Sequence, residues 1–499
     1  MSVEQLIWES DATALAEHIR KGDVSAAEAV DASIAMVERA SGELNAVAVR
    51  LFDQARAQVR AVAKDAPFAG VPMALKDIGI GVKGVPIHTG SRIPPYVSAT
   101  NSTVVERYLK AGFVPVATAT TPEHGLRLVT ESTAFGITRN PWNTAHTTGG
   151  SSGGSAALVA SGAVPVAHAS DGGGSIRVPS ACCGLVGLKP SRGRVPLSPE
   201  AVDAWNGLVV QHVLARSVRD SAAILDLTHG ADPLVSYEAP APGGPFAAAA
   251  RRKPGTLKLG VYRRSPLGLE VSADTLAALD KAVSLARDGG HSVEEIDLPF
   301  DGRAFTKDFA TVISGAVAGL MRIESDRTGQ NVLALLERPT RTIARYGEIL
   351  SGGEVEAALM RLQAHSMALL KHTDGYDAVF MPIIAHPPVT CGGMDSKGMD
   401  DMLEEVVDRL HLTRLLRVPS LFDKLIDQSF WFTHWPAIQN ATGQPSIALP
   451  VHVTDAGLPL GIQAVGRCGD EETLLSLAAQ METQSCWLER RAPFGRPSA

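Results

Sequence analysis

The 499-residue sequence predicts an α/β fold, a sheet with helices packed against it in one integrated unit. Three observations carry this. From residue 71 onward, short apolar runs of strand length alternate with capped segments of helical periodicity. Two small-residue turns, at 149–155 and 171–175, enclose a mostly apolar stretch of small and β-branched residues that reads as a buried helix and then a strand. A solvated Gly/Ser linker would not run directly into such a segment. Finally, 45% hydrophobic and 20% charged residues are ordinary for a soluble globular protein and suffice for a large core.

Taken in order, Ser10 and Asp11 cap a helix that Gly22 ends. Ser25 and Glu28 form a capping-box pattern that opens a second helix, reaching about Ala40 with Gly42 just beyond. Apolar spacing predicts a third helix over 45–63, making residues 1–65 a helical N-terminal region with no catalytic signature. A buried strand at 71–75 runs straight into Lys76 and Asp77, and a lysine ending an apolar strand is uncommon unless it is paired, functional or snorkelling to water. An amphipathic helix over 102–110, a strand over 114–118 and the glycine-rich stretch complete a core at 66–200. A helix follows at 217–228. The Pro/Gly/Ala-rich segment at 239–255 is the clearest linker. Beyond it, 256–499 holds a β-α-β unit (257–262, 272–288, 292–298) and a long helical middle over 305–415 broken by an apolar strand at 378–382. Strands at 446–450 and 461–465 close the sheet, and a helix at 471–481 ends the pattern.

Composition excludes several classes. A net charge of −7 with only short basic runs, 251–253 and 263–264, argues against nucleic acid as a partner. The N-terminus is acidic and has no signal-peptide pattern; no apolar run spans a membrane, and Pro165 interrupts the best candidate. Cys182, Cys183, Cys391, Cys468 and Cys486 are odd in number and scattered, which suggests reduced thiols and a cytoplasmic setting. No cluster has metal-ligand spacing, so neither metal nor cofactor is expected.

The run Gly149-Gly150-Ser151-Ser152-Gly153 matches the nucleophile-elbow pattern GxSxG, yet the flanking sequence does not suit an α/β-hydrolase. The triple glycine 172–174 follows the serine instead of preceding it, and residues 140–143 read as a turn where a strand is required. A longer, ordered set of motifs is more specific. It comprises 70–77 (GVPMALKD), 139–143 (RNPWN), 149–155 (GGSSGGS), 171–180 (DGGGSIRVPS), 183–190 (CGLVGLKP) and 440–446 (NATGQPS). On these residues the chain resembles the amidase signature family, over nearly its whole length.

That resemblance implies a single amidase-signature fold, a central twisted mixed sheet flanked on both faces by helices. It further implies a Ser–cis-Ser–Lys triad: Ser175 as the nucleophile that forms an acyl-enzyme, Ser151 as the bridging serine preceded by a cis peptide from Gly150, and Lys76 as the base. Ser151 and Ser175 stand at the family's spacing. The backbone N–H groups of Gly172, Gly173, Gly174 and Ser175 would form the oxyanion hole. Ser152 and Ser155 would support by hydroxyl hydrogen bonds, Ser170 and Ser180 would be structural, and Asp171 and Arg177 would hold the loop in shape. Gly172 stands where relatives carry a larger residue, which would loosen the turn or leave room for substrate. The chemistry is coherent: a serine hydroxyl needs a neighbouring base. A lysine serves if its pKa falls from about 10.4 toward about 7–8, which desolvation at a strand end favours.

The function implied is a serine amidohydrolase that cleaves C–N bonds of small or oligomeric amides, with an amide and water as partners and a homodimer as an open assembly. Within the family the N-terminal helices and residues 139–150 are most similar to hydrolases of cyclic 6-aminohexanoate (nylon) oligomers. Leu126 stands where those enzymes would carry a polar amide side chain, which favours a more hydrophobic acyl or aryl group; aryl amides, linear oligoamides and carbamates all fit. The aromatic run at 430–436 makes Trp431 and Trp435 candidates for lining a substrate pocket, with a core cluster as the other reading. An alternative is the glutaminase subunit of a tRNA-linked amidotransferase, although Ile78 replaces the Asn that typically follows its Lys-Asp pair. A non-catalytic scaffold is disfavoured because all three triad positions are filled.

Overall fold

A computed structural model describes residues 2–235 and 237–496. Among these residues eleven strands form the main sheet. In chain order they are β1 (Val47–Arg50), β2 (Pro72–Lys76), β3 (Val114–Ala119), β4 (Val166–Asp171), β5 (Val186–Lys189) and β6 (Val210–Ala215). The second half adds β7 (Lys258–Val261), β8 (Ser292–Glu295), β9 (Ala378–Pro382), β10 (Ser446–Val453) and β11 (Pro459–Gly466). Their spatial order is β1-β3-β2-β4-β6-β5-β10-β11-β9-β7-β8. The sheet is mixed: β3, β2 and β4 run parallel, as do β9, β7 and β8, and the pairings between β4 and β9 are antiparallel. This is the helix-flanked mixed sheet that the sequence implied, and helices 26–44, 153–160, 218–228, 273–288 and 471–485 pack on it.

Local rules account for most boundaries. Asp11 accepts the Ala14 N–H and caps Ala12–Lys21, which ends at Gly22 in the left-handed conformation. Ser25 and Glu28 make both bonds of a capping box. Helix Gly153–Ala160 is buried at every position and has no polar face, as suits an element covered on all sides.

Three expectations are corrected. The predicted third helix over 45–63 is instead strand β1 followed by a short helix, Phe52–Gln58, and one 3₁₀ turn. Asn45 turns the chain left-handed at the end of Ala26–Leu44, and the β-branched Val47 and Val49 then pair antiparallel with β3. The preceding helix also runs through Gly42 to Leu44 instead of stopping at Ala40. The segment at 239–255 is docked at its middle: Phe246 is fully buried, and Asp226 accepts the Phe246 and Ala247 N–H groups. Residues 140–143, read as a turn, do turn: they join Arg139–Asn140 to Asn143–Thr147 in a small hairpin.

Candidate active site

The site forms where two neighbouring parallel strands end. Lys76 is the last residue of β2 and Asp171 the last of β4, so their carboxyl ends lie side by side, the usual place for a ligand in an open α/β sheet. Lys76 is 1% exposed. Its Nζ donates to Ser151 Oγ at 2.8 Å, to Ser170 Oγ at 3.1 Å and to the Ser170 carbonyl at 3.4 Å. Burial drives the Lys76 pKa down to about 7 against the opposing pull of Asp171, so near neutrality the amine is free to accept a proton.

Ser151 follows a cis peptide from Gly150, as the resemblance implied. Gly150 is packed so closely that a β-carbon there would lie 2.7 Å from the Val129 nitrogen. Backbone does not yield to such a contact, so only glycine fits. Ser152 donates to the Ser170 carbonyl and Ser155 to that of His168, tying helix 153–160 to β4, while Ser180 donates back to Ile176 within its own helix.

Ser175 closes the turn after β4 and is 6% exposed. Among the described residues its hydroxyl has no hydrogen-bond partner. The loop that presents it is locked from beneath. Asp171 and Arg177 are both fully buried and paired: Arg177 donates from Nε to Asp171 Oδ2 at 3.0 Å and from a terminal nitrogen to Oδ1 at 2.9 Å. Asp171 also accepts the N–H groups of Gly174 at 2.7 Å and Ile176 at 3.0 Å. Burial alone would raise the Asp171 pKa, but the charge and hydrogen bonds of Arg177 override it and hold the carboxyl well below the usual carboxylate range.

This geometry corrects one expectation directly. The Gly174 N–H is committed to Asp171, so it holds the loop and is not free for the oxyanion role expected of it. A second correction concerns Trp435. It is fully buried, donates its indole N–H to the Arg264 carbonyl at 3.0 Å, and packs with Tyr262, Val379, Met381 and Val465. It is therefore a core residue, and its segment reaches the loop at Gly174 through Pro436 instead. Trp431 is half-buried, against His386 and Phe432. Leu126 is half-buried beside Gly125, where a β-carbon would lie 3.2 Å from Ser151 Oγ.

Sequence reasoning missed several residues. It took Ser170 as structural and missed that it is a direct partner of Lys76. Gln439, Asn440 and Gln463 accept from Arg177, and Asn440 donates to the Asp171 carbonyl at 2.9 Å. A cluster of amides inside an otherwise apolar stretch was the available signal for these. Trp205 and Phe309, which lie against Gly172 and Gly173, had none. Among the described residues no group of three or more His, Cys, Asp or Glu could hold a metal ion.

Residues 28–475 match the sequence pattern of the family described as Amidase. The chain belongs to the amidase signature family. As an amidase, it acts on amide C–N bonds. It is 34% identical to a 6-aminohexanoate-cyclic-dimer hydrolase of Pseudomonas sp. (strain NK87), over 99% of this chain and 98% of the relative. It is 37% identical to the putative amidase AmiB2 of Mycobacterium tuberculosis, over 96% and 97%. The solved structure of 6-aminohexanoate cyclic dimer hydrolase superposes on this amidase with a TM-score of 0.87 at 31% identity, covering 98% of this chain and 99% of the other. A bacterial aryl acylamidase shares the fold, with a TM-score of 0.84 at 24% identity, over 98% of this chain and 99% of the other. No helix among the described residues is long and apolar enough to cross a membrane.

Proposed function

We propose that this amidase hydrolyses small amides carrying an apolar acyl or aryl group, through an acyl-enzyme on Ser175. The observation that carries the reading is a fully buried amine, with its pKa lowered to about 7, 2.8 Å from the hydroxyl of Ser151. Neutral Lys76 draws the Ser151 proton as Ser151 takes that of Ser175. The Ser175 oxygen then bonds to the amide carbon, and the oxyanion is held by the N–H groups of Gly172, Gly173 and Ser175. The C–N bond breaks as Ser151 hands a proton to the departing amine and regains one from Lys76. Water attacks the ester along the same proton path, releasing the carboxylic acid and restoring Ser175.

Relatives named for 6-aminohexanoate cyclic dimer support oligoamides as one substrate class. Leu126, next to Gly125 and packed against the apolar cluster that includes Phe309, supports an apolar acyl or aryl group and so favours linear oligoamides, aryl amides and carbamates over the cyclic diamide. Free thiols at Cys182, Cys183, Cys391, Cys468 and Cys486 support a cytoplasmic setting. The apolar Ile78, near Gly125 and Ser151, gives a glutaminase no polar contact for its substrate.

The test is covalent labelling. A fluorophosphonate should modify Ser175 in the wild-type protein, and Ser175→Ala should abolish both labelling and amide turnover. Undiminished labelling of the variant at another serine would overturn the assignment.

A further inference from the structure

The two glycines that begin the oxyanion loop have aromatic rings where their side chains would be. A β-carbon on Gly172 would lie 2.8 Å from Cζ3 and 2.9 Å from Cε3 of the Trp205 indole, and 3.1 Å from Cγ2 of Val209. One on Gly173 would lie 3.3 Å from Cζ of Phe309. The space beside Gly172 is therefore neither slack nor empty. The indole occupies it, and a half-buried Trp205 joins Leu126 and Phe309 in one apolar cluster.

Trp205 is held there at a conformational cost. Trp205, Asn206 and Gly207 have φ of +53°, +55° and +78°, a left-handed run that a bulky side chain rarely adopts. The brace that imposes it is the one that holds the nucleophile loop. Arg192 donates to the Gly207 carbonyl at 2.6 Å and to the Asn440 and Ala441 carbonyls at 2.8 Å. Asn440 in turn donates to the carbonyls of Leu208 and Asp171, both at 2.9 Å. Ring and nucleophile are thereby registered on a single amide side chain.

The direction of the reaction says what the ring would touch. The amine must leave toward Ser151, which returns its proton, and Ser151 is bordered by Gly125 and Ile78. The rings stand instead at Gly172 and Gly173, which leaves them the group carried on the carbonyl carbon. The geometry points to Trp205 as a specificity-determining residue, the wall that limits the width of the acyl group, with Gly172 as the vacancy that lets the indole sit against the loop. This inference rests on Ser175 being the nucleophile.

Activated esters test it independently of the natural amine. p-Nitrophenyl butyrate and p-nitrophenyl benzoate load a narrow and a wide acyl group onto the same serine, and the ratio of their kcat/KM values cancels differences in active fraction. Trp205→Ala should raise the benzoate-to-butyrate ratio at least tenfold, and Trp205→Phe should give an intermediate rise. Gly172→Ala, whose methyl must push the indole into the slot, should lower the ratio, and adding Trp205→Ala to it should remove that effect. A ratio within twofold of wild type in Trp205→Ala overturns the inference. If Trp205→Ala does not fold, an unchanged ratio in Trp205→Phe and Gly172→Ala overturns it equally. A different result marks failure of the underlying reading: full esterase activity in Ser175→Ala.

Discussion

As the proposed base, Lys76 has to be an amine at the start of each turnover and an ammonium in the middle of it, while only 1% exposed. With its pKa lowered to about 7, it is the neutral form that increases as pH rises. Accordingly kcat/KM should climb tenfold per unit below pH 7 and level off above it. Lys76→Ala should lower kcat by about 10²–10⁴ and abolish that rise. One other lysine could imitate the signal: Lys189, fully buried, donates to the Pro190 carbonyl at 2.9 Å and is also lowered to about 7, by burial and the charge of Arg177. Lys189→Met separates the two, because it should leave the midpoint in place; a midpoint that moves with Lys189 would reassign the base. The Asp171–Arg177 pair makes a different demand. Removing one charge strands the other in a dry interior, so Asp171→Asn should cost about 3–5 kcal/mol in denaturant unfolding and abolish labelling of Ser175. The sign with pH follows from the lowered Asp171 pKa: this contribution is complete above the ordinary carboxylate range and is lost only as pH falls through the depressed folded value.

At the scale of elements, β2, the turn after β4 and helix 153–160 were legible because each has a local cause. An apolar run ending in Lys76, a triple glycine, and a helix without a polar face all declare themselves within a dozen residues. The resemblance added the roles expected of Ser151 and Ser175, which no spacing alone supplies. What was not legible depended on partners far away in the chain. β1 reads as helix until β3 is beside it, and Trp435 reads as pocket lining until the Arg264 carbonyl takes its N–H. Gly174 looks like an oxyanion donor until the Asp171 side chain, three residues back, is seen turned toward it. Docking of the N-terminal helices has the same long-range character. The Asp220 carboxylate accepts the N–H groups of Ala12 and Thr13 at 2.6 and 2.9 Å, from a helix 207 residues away. Asp220→Ala would leave both donors unpaired at a buried contact, at about 1–3 kcal/mol. The expected outcome is a lower unfolding midpoint with unchanged kcat/KM, and a matching loss of activity would show that the helix shapes the site.

Over the whole molecule, the order of strands in the sheet differs from their order in the chain in a way that bears on the linker-like segment at 239–255. The first half ends its strands at β6 and the second half starts again at β7, yet these two are not neighbours. The seam between halves is instead β5 against β10, with Gly187, Leu188 and Lys189 opposite Ala448, Ile447 and Ser446. The loop that carries Ser175 lies across that seam, since Arg177 from the first half is held by Gln439, Asn440 and Gln463 from the second. Cutting the chain after residue 238 would therefore not release two domains. Each fragment would expose a fully buried strand edge, and Arg177 would lose three acceptors, so neither 1–238 nor 239–499 should show a cooperative thermal transition alone. Co-expressed, the fragments should assemble through β5 and β10 and recover Ser175 labelling, because the break falls outside the sheet and away from Lys76, Ser151 and Ser175. A first half that folds by itself and labels at Ser175 would show instead that the site is complete without the seam.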